Sequence, residues 1–151
     1  MTEAVDSNMV VRTSVYVPLD PEAAFRLFTE EMASWWPLRS HSVHEAEATG
    51  VVVEPRVGGR IYETTDDGRT AEWGRVGAWD PPSRIAMSWY PGQTAELATQ
   101  LEVLFEDEPR GGTTVRVVHT GWEARGGDAA ALAAGYQTGW ELVLGRLAEA
   151  A

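Results

Sequence analysis

The chain has 151 residues, 44% of them hydrophobic and 23% charged, the balance of a soluble globular domain long enough to bury a sizeable core. Its net charge of −11 argues against nucleic acid as a partner and against docking on anionic membranes, both of which need clustered cations. All 12 basic residues are Arg and there is no Cys, so lysine Schiff-base, thiolate, disulfide and Cys-ligated metal chemistry are excluded.

The start, MTEAVDSN, lacks the basic and apolar regions of a secretory signal, and no apolar run approaches membrane-spanning length. A cytoplasmic protein is expected. Residues 1–9 read as a flexible tail and residues 10–151 as a single domain. Val10–Val17 alternates, which predicts a strand. Asp20-Pro21-Glu22 predicts a helix start: a capping carboxylate, a proline suited to the first helical position and an acid at the positive end of the dipole. Phe25, Phe28, Met32 and Trp35 then recur at helical spacing on one face, with a kink or second short helix expected near Glu30–Trp36. Leu38–Gly50 has no clear period and reads as a loop.

Val51–Val53, Arg60–Thr65, Arg69–Trp79, Arg84–Tyr90, Ala98–Glu108 and Thr113–Thr120 read as six further strands. Asp66-Asp67-Gly68 supplies a hairpin turn with glycine at positive φ. Ile85, Met87 and Trp89 share one strand face, as do Thr99, Leu101, Val103 and Phe105. The inward or outward phase of Tyr62, Glu63 and Trp73 stays open. Asp128 can cap a final helix with the stripe Leu132, Tyr136, Trp140, Val143 or Leu144, and Leu147. The order predicts an α+β fold: a curved antiparallel sheet of about seven strands, two short helices and a long C-terminal helix.

These elements carry an ordered set of motifs: Glu54-Pro55-Arg56-Val57-Gly58-Gly59-Arg60, Glu63 ahead of the Asp66-Asp67-Gly68 turn, Trp73-Gly74-Arg75-Val76, Asp80-Pro81-Pro82-Ser83-Arg84-Ile85, Trp89, Gly112-Thr113-Thr114, His119-Thr120-Gly121-Trp122, and Gly139-Trp140 with Leu144 and Leu147. The series resembles the START-like, helix-grip fold of the SRPBCC (Bet v I-like) superfamily. Within it the series is similar to the family named after the activator of heat-shock-protein-90 ATPase (AHSA-like). The resemblance covers about residues 10–149. It implies a sheet gripped by the C-terminal helix around a cavity, in which members of the superfamily bind lipids, hormones, polyketides and other apolar molecules, and some catalyse cyclisation or dehydration. The chaperone activator itself engages its chaperone through a further N-terminal region, which this chain has no room for.

Trp and Tyr present an apolar body with one polar handle, which suits a cavity for a largely apolar ligand. Trp35, Trp89, Phe105, Tyr136 and Trp140 lie on the expected inward stripes and are the candidate ligand-binding residues; the alternative for each is a place in a solid core. Residues 63 and 71 face each other across the hairpin, so Glu63 and Glu72 are near-diagonal neighbours. Either is a solvated or Arg-paired carboxylate, or, pointing into an apolar cavity, a general acid. The resemblance favours Glu63, because the family pattern also places an acid there. His119 shares a face with Val115 and Val117, as a structural residue or as an acid–base group. Glu63 and His119 are therefore the candidate catalytic residues.

His41-x-x-His44-Glu45 lacks a third ligand, so no metal is expected; its place near the cavity mouth is the better reason for interest. Gly135 and Gly139, four apart on the last helix, let a sheet aromatic or a ligand approach the backbone. No phosphate-cradling loop, nucleophile elbow or catalytic triad is present, and no cofactor is expected. Three functions follow: binding of a small apolar molecule; a cyclase- or dehydratase-type enzyme acting on a polyketide-like or aromatic substrate; and a co-chaperone-like interaction module. A homodimer is possible, and a chaperone partner is expected less than a ligand.

Overall fold

The computed structural model describes residues 9–151. The expected tail therefore lies, apart from its last residue, outside the described part; Met9 itself packs against the core. Seven strands form one antiparallel sheet: β1 (Val11–Val17), β2 (Ala48–Val53), β3 (Arg60–Thr65), β4 (Thr70–Asp80), β5 (Arg84–Trp89), β6 (Thr99–Asp107) and β7 (Thr113–Thr120). Their order is β1-β7-β6-β5-β4-β3-β2, so the first two strands form the two edges and the rest run as a meander.

Between β1 and β2 stand α1 (Pro21–Thr29) and α2 (Met32–Trp35); α3 (Ala129–Ala150) closes the chain. Asp20 caps α1 by accepting the Ala23 amide at 2.8 Å, with Pro21 in the first turn. The expected break falls at Glu30–Glu31 and splits off α2. The Leu38–Gly50 loop is interrupted by a single 3-10 turn at Glu45–Glu47, and β2 begins three residues earlier than its valine run suggests. At the other end, Gly121 takes positive φ (78°) and turns the chain so that Trp122 is fully buried. Asp128 makes no side-chain cap on α3, contrary to expectation.

The sheet's concave face and the helices enclose the core. Ile85, Met87 and Trp89 on β5, Leu101, Val103 and Phe105 on β6, and Val115, Val117 and His119 on β7 all point inward. From α3, the buried residues are Ala129, Ala133, Trp140, Val143, Leu144 and Leu147, while Leu132 and Tyr136 are only half-buried.

The undecided phase is settled by a β-bulge. In the β3–β4 ladder Ile61 pairs with Gly74 and Tyr62 with Glu72, leaving Trp73 as an extra residue. Such a bulge re-aims side chains locally. Trp73 and Gly74 are both buried, although they are adjacent. Ile61, Glu63 and Thr65 point inward, and Tyr62 points out, under the Arg60 guanidinium 4.5 Å from its ring centre. Gly74 is required here, since a Cβ would stand 1.9 Å from the Ser88 carbonyl oxygen.

Candidate functional site

Four tryptophans from four segments meet beneath α3. Trp36 follows α2, Trp73 sits in the β4 bulge, Trp89 ends β5 and Trp140 comes from α3. Trp36 lies 5.0 Å from Trp73, 6.1 Å from Trp89 and 5.7 Å from Trp140 between ring centres, and Trp89 lies 5.7 Å from Trp73 and 5.8 Å from Trp140. These tilted and edge-on arrangements are those aromatic quadrupoles favour.

The rings do not fill the space. A cavity of about 510 Å³ opens against them, within the range of small-molecule sites. Its remaining wall is Val143, Tyr136, Gly135 and Gly139 of α3, the Ser40–Val43 segment, and Pro91-Gly92 after β5. The polar groups are few: the Ser40 and Ser42 hydroxyls, the His41 ring and the Tyr136 phenol. Burial raises the pKa of Tyr136, against the opposing pull of the Trp89 indole and the Arg125 charge, so the phenol is protonated at neutral pH. The Trp89 Nε1 has no partner in hydrogen-bond geometry.

Of the expected lining residues, Trp89, Tyr136 and Trp140 form the wall. Trp35 and Phe105 do not, and the expectation is corrected for both. Trp35 donates from Nε1 to the Leu27 carbonyl at 2.8 Å and packs on Phe28. Phe105 lies between Phe25 and Phe28, at 5.0 and 5.8 Å. Both belong to the solid core under α1. Wall residues not foreseen include Trp36, Trp73, Ser40 and Ser42. Trp36 was hidden by its neighbour: the spacing from Phe25 selects Trp35, but the backbone leaves the helix at Trp36 (ψ 132°) and turns that ring under α3.

Glu63 is fully buried and forms no ion pair among the described residues, so it is neither solvated nor Arg-paired. Its oxygens accept three N–H groups instead: Trp73 Nε1 at 2.6 Å, the Val43 amide at 2.6 Å and the His44 amide at 2.8 Å. It stands behind Trp73, outside the cavity wall, and ties the Ser40–His44 segment to the sheet. Glu72 lies on the other face, bound by Arg60 at 2.8 Å and by the Tyr90 hydroxyl.

His119 is likewise fully buried and outside the wall. Its Nδ1 accepts from Trp140 Nε1 at 3.0 Å, which places its proton on Nε2, facing Thr99 Oγ1 at 2.6 Å. Thr99 in turn donates to the Trp89 carbonyl at 3.1 Å. Burial lowers the His119 pKa to about 3, so the ring is neutral. Both ring nitrogens are spent on positioning Trp140 and the end of β5.

His41 faces the cavity from the loop, with Nδ1 2.7 Å from Ser40 Oγ. His44 does not share that wall, and no group of three metal-ligating side chains exists among the described residues. Gly135 and Gly139 admit no sheet aromatic, which corrects one reading of them. A Cβ at Gly135 would meet nothing within 4 Å, and one at Gly139 only the His41 ring, at 3.9 Å.

A family model described as "Activator of Hsp90 ATPase homolog 1-like protein" matches residues 18–151. Among solved structures, an anthrahydroquino-Gama-pyrone synthase, Txn09, complexed with SUM, is 34% identical over 99% of both chains, with a TM-score of 0.64. The Aha1 dimer from Colwellia psychrerythraea is 17% identical over 94% of this chain and 95% of that one (TM-score 0.66). Protein MLL2253 from Mesorhizobium loti is 18% identical over 93% and 95% (TM-score 0.69). No curated protein matches the chain.

Proposed function

The chain belongs to the family of Activator of Hsp90 ATPase homolog 1-like proteins, and on that premise we propose that it binds a small, largely apolar, aromatic molecule between its sheet and its C-terminal helix. The observation that carries this reading is the unfilled cavity of about 510 Å³ walled by Trp36, Trp73, Trp89 and Trp140. An indole wall and few polar groups suit fused rings, since aromatic pairing adds about 0.5–1.5 kcal/mol per pair beyond area burial. Native mass spectrometry against polyketides, aromatic metabolites and lipids tests it. One-to-one binding of a fused-ring compound is expected, and Gly135→Phe, which fills the cavity from α3, abolishes it. Retention of that compound by the filled variant would place binding elsewhere and sink the proposal.

A second reading, a cyclase-type enzyme acting on a polyketide-like or aromatic substrate, is supported by the 34% identity to a protein described as a synthase. Its acid–base work would fall to Tyr136 and the Ser40–His41 pair on the wall, since the polar atoms of Glu63 and His119 are engaged elsewhere. The chaperone reading rests on the family name, and homodimer formation on the fold shared with the Aha1 dimer.

A further inference from the structure

We propose that His41 forms a recognition subsite in the cavity, its Nε2 accepting a hydrogen bond from a neutral phenolic or enolic hydroxyl on the bound ring system. This rests on the reading that the cavity holds an aromatic ligand.

The tautomer is part of the proposal, since Ser40 Oγ can meet Nδ1 as donor or as acceptor. Ser40 Oγ lies 3.4 Å from the Pro37 carbonyl and 2.7 Å from His41 Nδ1. The proposed subsite takes the tautomer in which the Ser40 proton is directed to the Pro37 carbonyl, so that Oγ accepts Nδ1–H. The Nε2 lone pair is then free. Burial lowers the His41 pKa below its ordinary value, so the ring is neutral at pH 7, as an acceptor at Nε2 requires.

The space in front of Nε2 is kept open by what α3 lacks. At Gly139 the nearest approach of an added Cβ to the ring would be 3.9 Å, and one turn earlier Gly135 faces no protein atom. Two glycines four apart thus leave a slot along the helix beside an unpaired acceptor. The facing wall is indole surface, which holds a ring and leaves its edge substituent to be read by His41. A carboxylate is a poor candidate for that substituent, given the absence of any Arg in the wall and a net charge of −11. A neutral hydroxyl donor fits.

The test is isothermal titration calorimetry with 2-naphthol and 2-methoxynaphthalene, which share a ring system and differ in the donor. Wild type is expected to prefer 2-naphthol by roughly tenfold, the effect of one satisfied hydrogen bond. His41→Phe should bind both with similar affinity, and His41→Gln, which retains an acceptor, should restore part of the preference. A wild type that binds the two alike, or a His41→Phe protein that keeps the preference, overturns the subsite and leaves cavity binding intact. Failure of wild type to bind either compound overturns both.

Discussion

Glu63 and Trp73 make the clearest energetic case at the residue scale. A fully buried carboxylate costs several kcal/mol unless its oxygens are satisfied, and here three N–H groups do so. Trp73→Phe removes one donor to a charged acceptor, a loss of about 1.5–3 kcal/mol on top of the smaller ring. Trp89→Phe removes an indole N–H that makes no bond in full hydrogen-bond geometry and acts only on the neutral Tyr136 phenol, so the loss is mainly of ring volume. Urea unfolding of the two variants should rank Trp73→Phe as clearly the less stable; equal losses would deny the Trp73–Glu63 bond any net contribution. His119 gives a pH dependence. Its folded pKa of about 3 lies below the unfolded value near 6.5, so the unfolded chain takes up a proton first. The contribution is complete above pH 6.5 and lost as pH falls toward 3, by up to about 1.4 kcal/mol per pH unit. Wild type should therefore lose stability more steeply than His119→Gln between pH 6 and 4, and parallel curves would refute the buried neutral ring.

At the scale of elements, α3 is built against its own interest. Gly135 and Gly139 each cost a helix about 0.8–1 kcal/mol relative to Ala. Neither is demanded by a close protein contact, since an added Cβ would touch at most the His41 ring, at ordinary van der Waals distance. Gly135→Ala and Gly139→Ala are expected to raise the melting temperature and to weaken the binding of fused-ring ligands, read by thermal denaturation and calorimetry. Unchanged affinity would mean that the slot is not where the ligand lies. The strands were legible because alternation reports burial directly: Thr99, Leu101, Val103 and Phe105 point inward as their spacing says. The phase of Trp73 was not legible, because an extra residue in β4 shifts it; Gly74 beside it is the strand glycine that marks such a bulge, but it does not say which side chain turns inward. Trp36 was missed because helical spacing assigns it to the wrong side of a helix that has already ended. Phe105 was placed on the correct face of its strand, yet α1 covers it, and that covering is a tertiary fact.

For the whole molecule, aromatic residues serve two neighbouring purposes under one sheet. Phe25, Phe28, Trp35 and Phe105 fill a solid core beneath α1, and Trp36, Trp73, Trp89 and Trp140 leave a cavity beneath α3. Composition counts both groups alike, so the sequence announced aromatic excess without saying which half was hollow. The partition also sets what a ligand does to stability. Held at about a hundred times its dissociation constant, it stabilises the folded chain by roughly 2.7 kcal/mol. Over a chain of this size that is a rise of several degrees in melting temperature.

The loop that forms the cavity's outer wall is fastened almost wholly by its main chain. Trp36 Nε1 binds the His41 carbonyl at 2.7 Å, the His41 amide binds the Pro37 carbonyl at 2.9 Å, and Glu63 takes the amides of Val43 and His44. The side chains at 40, 41 and 43 take no part in these anchors. Their identities are free to drift under selection while the wall keeps its position, so one scaffold can be retuned from one small molecule to another by changes at a few loop positions, without renegotiating its fold.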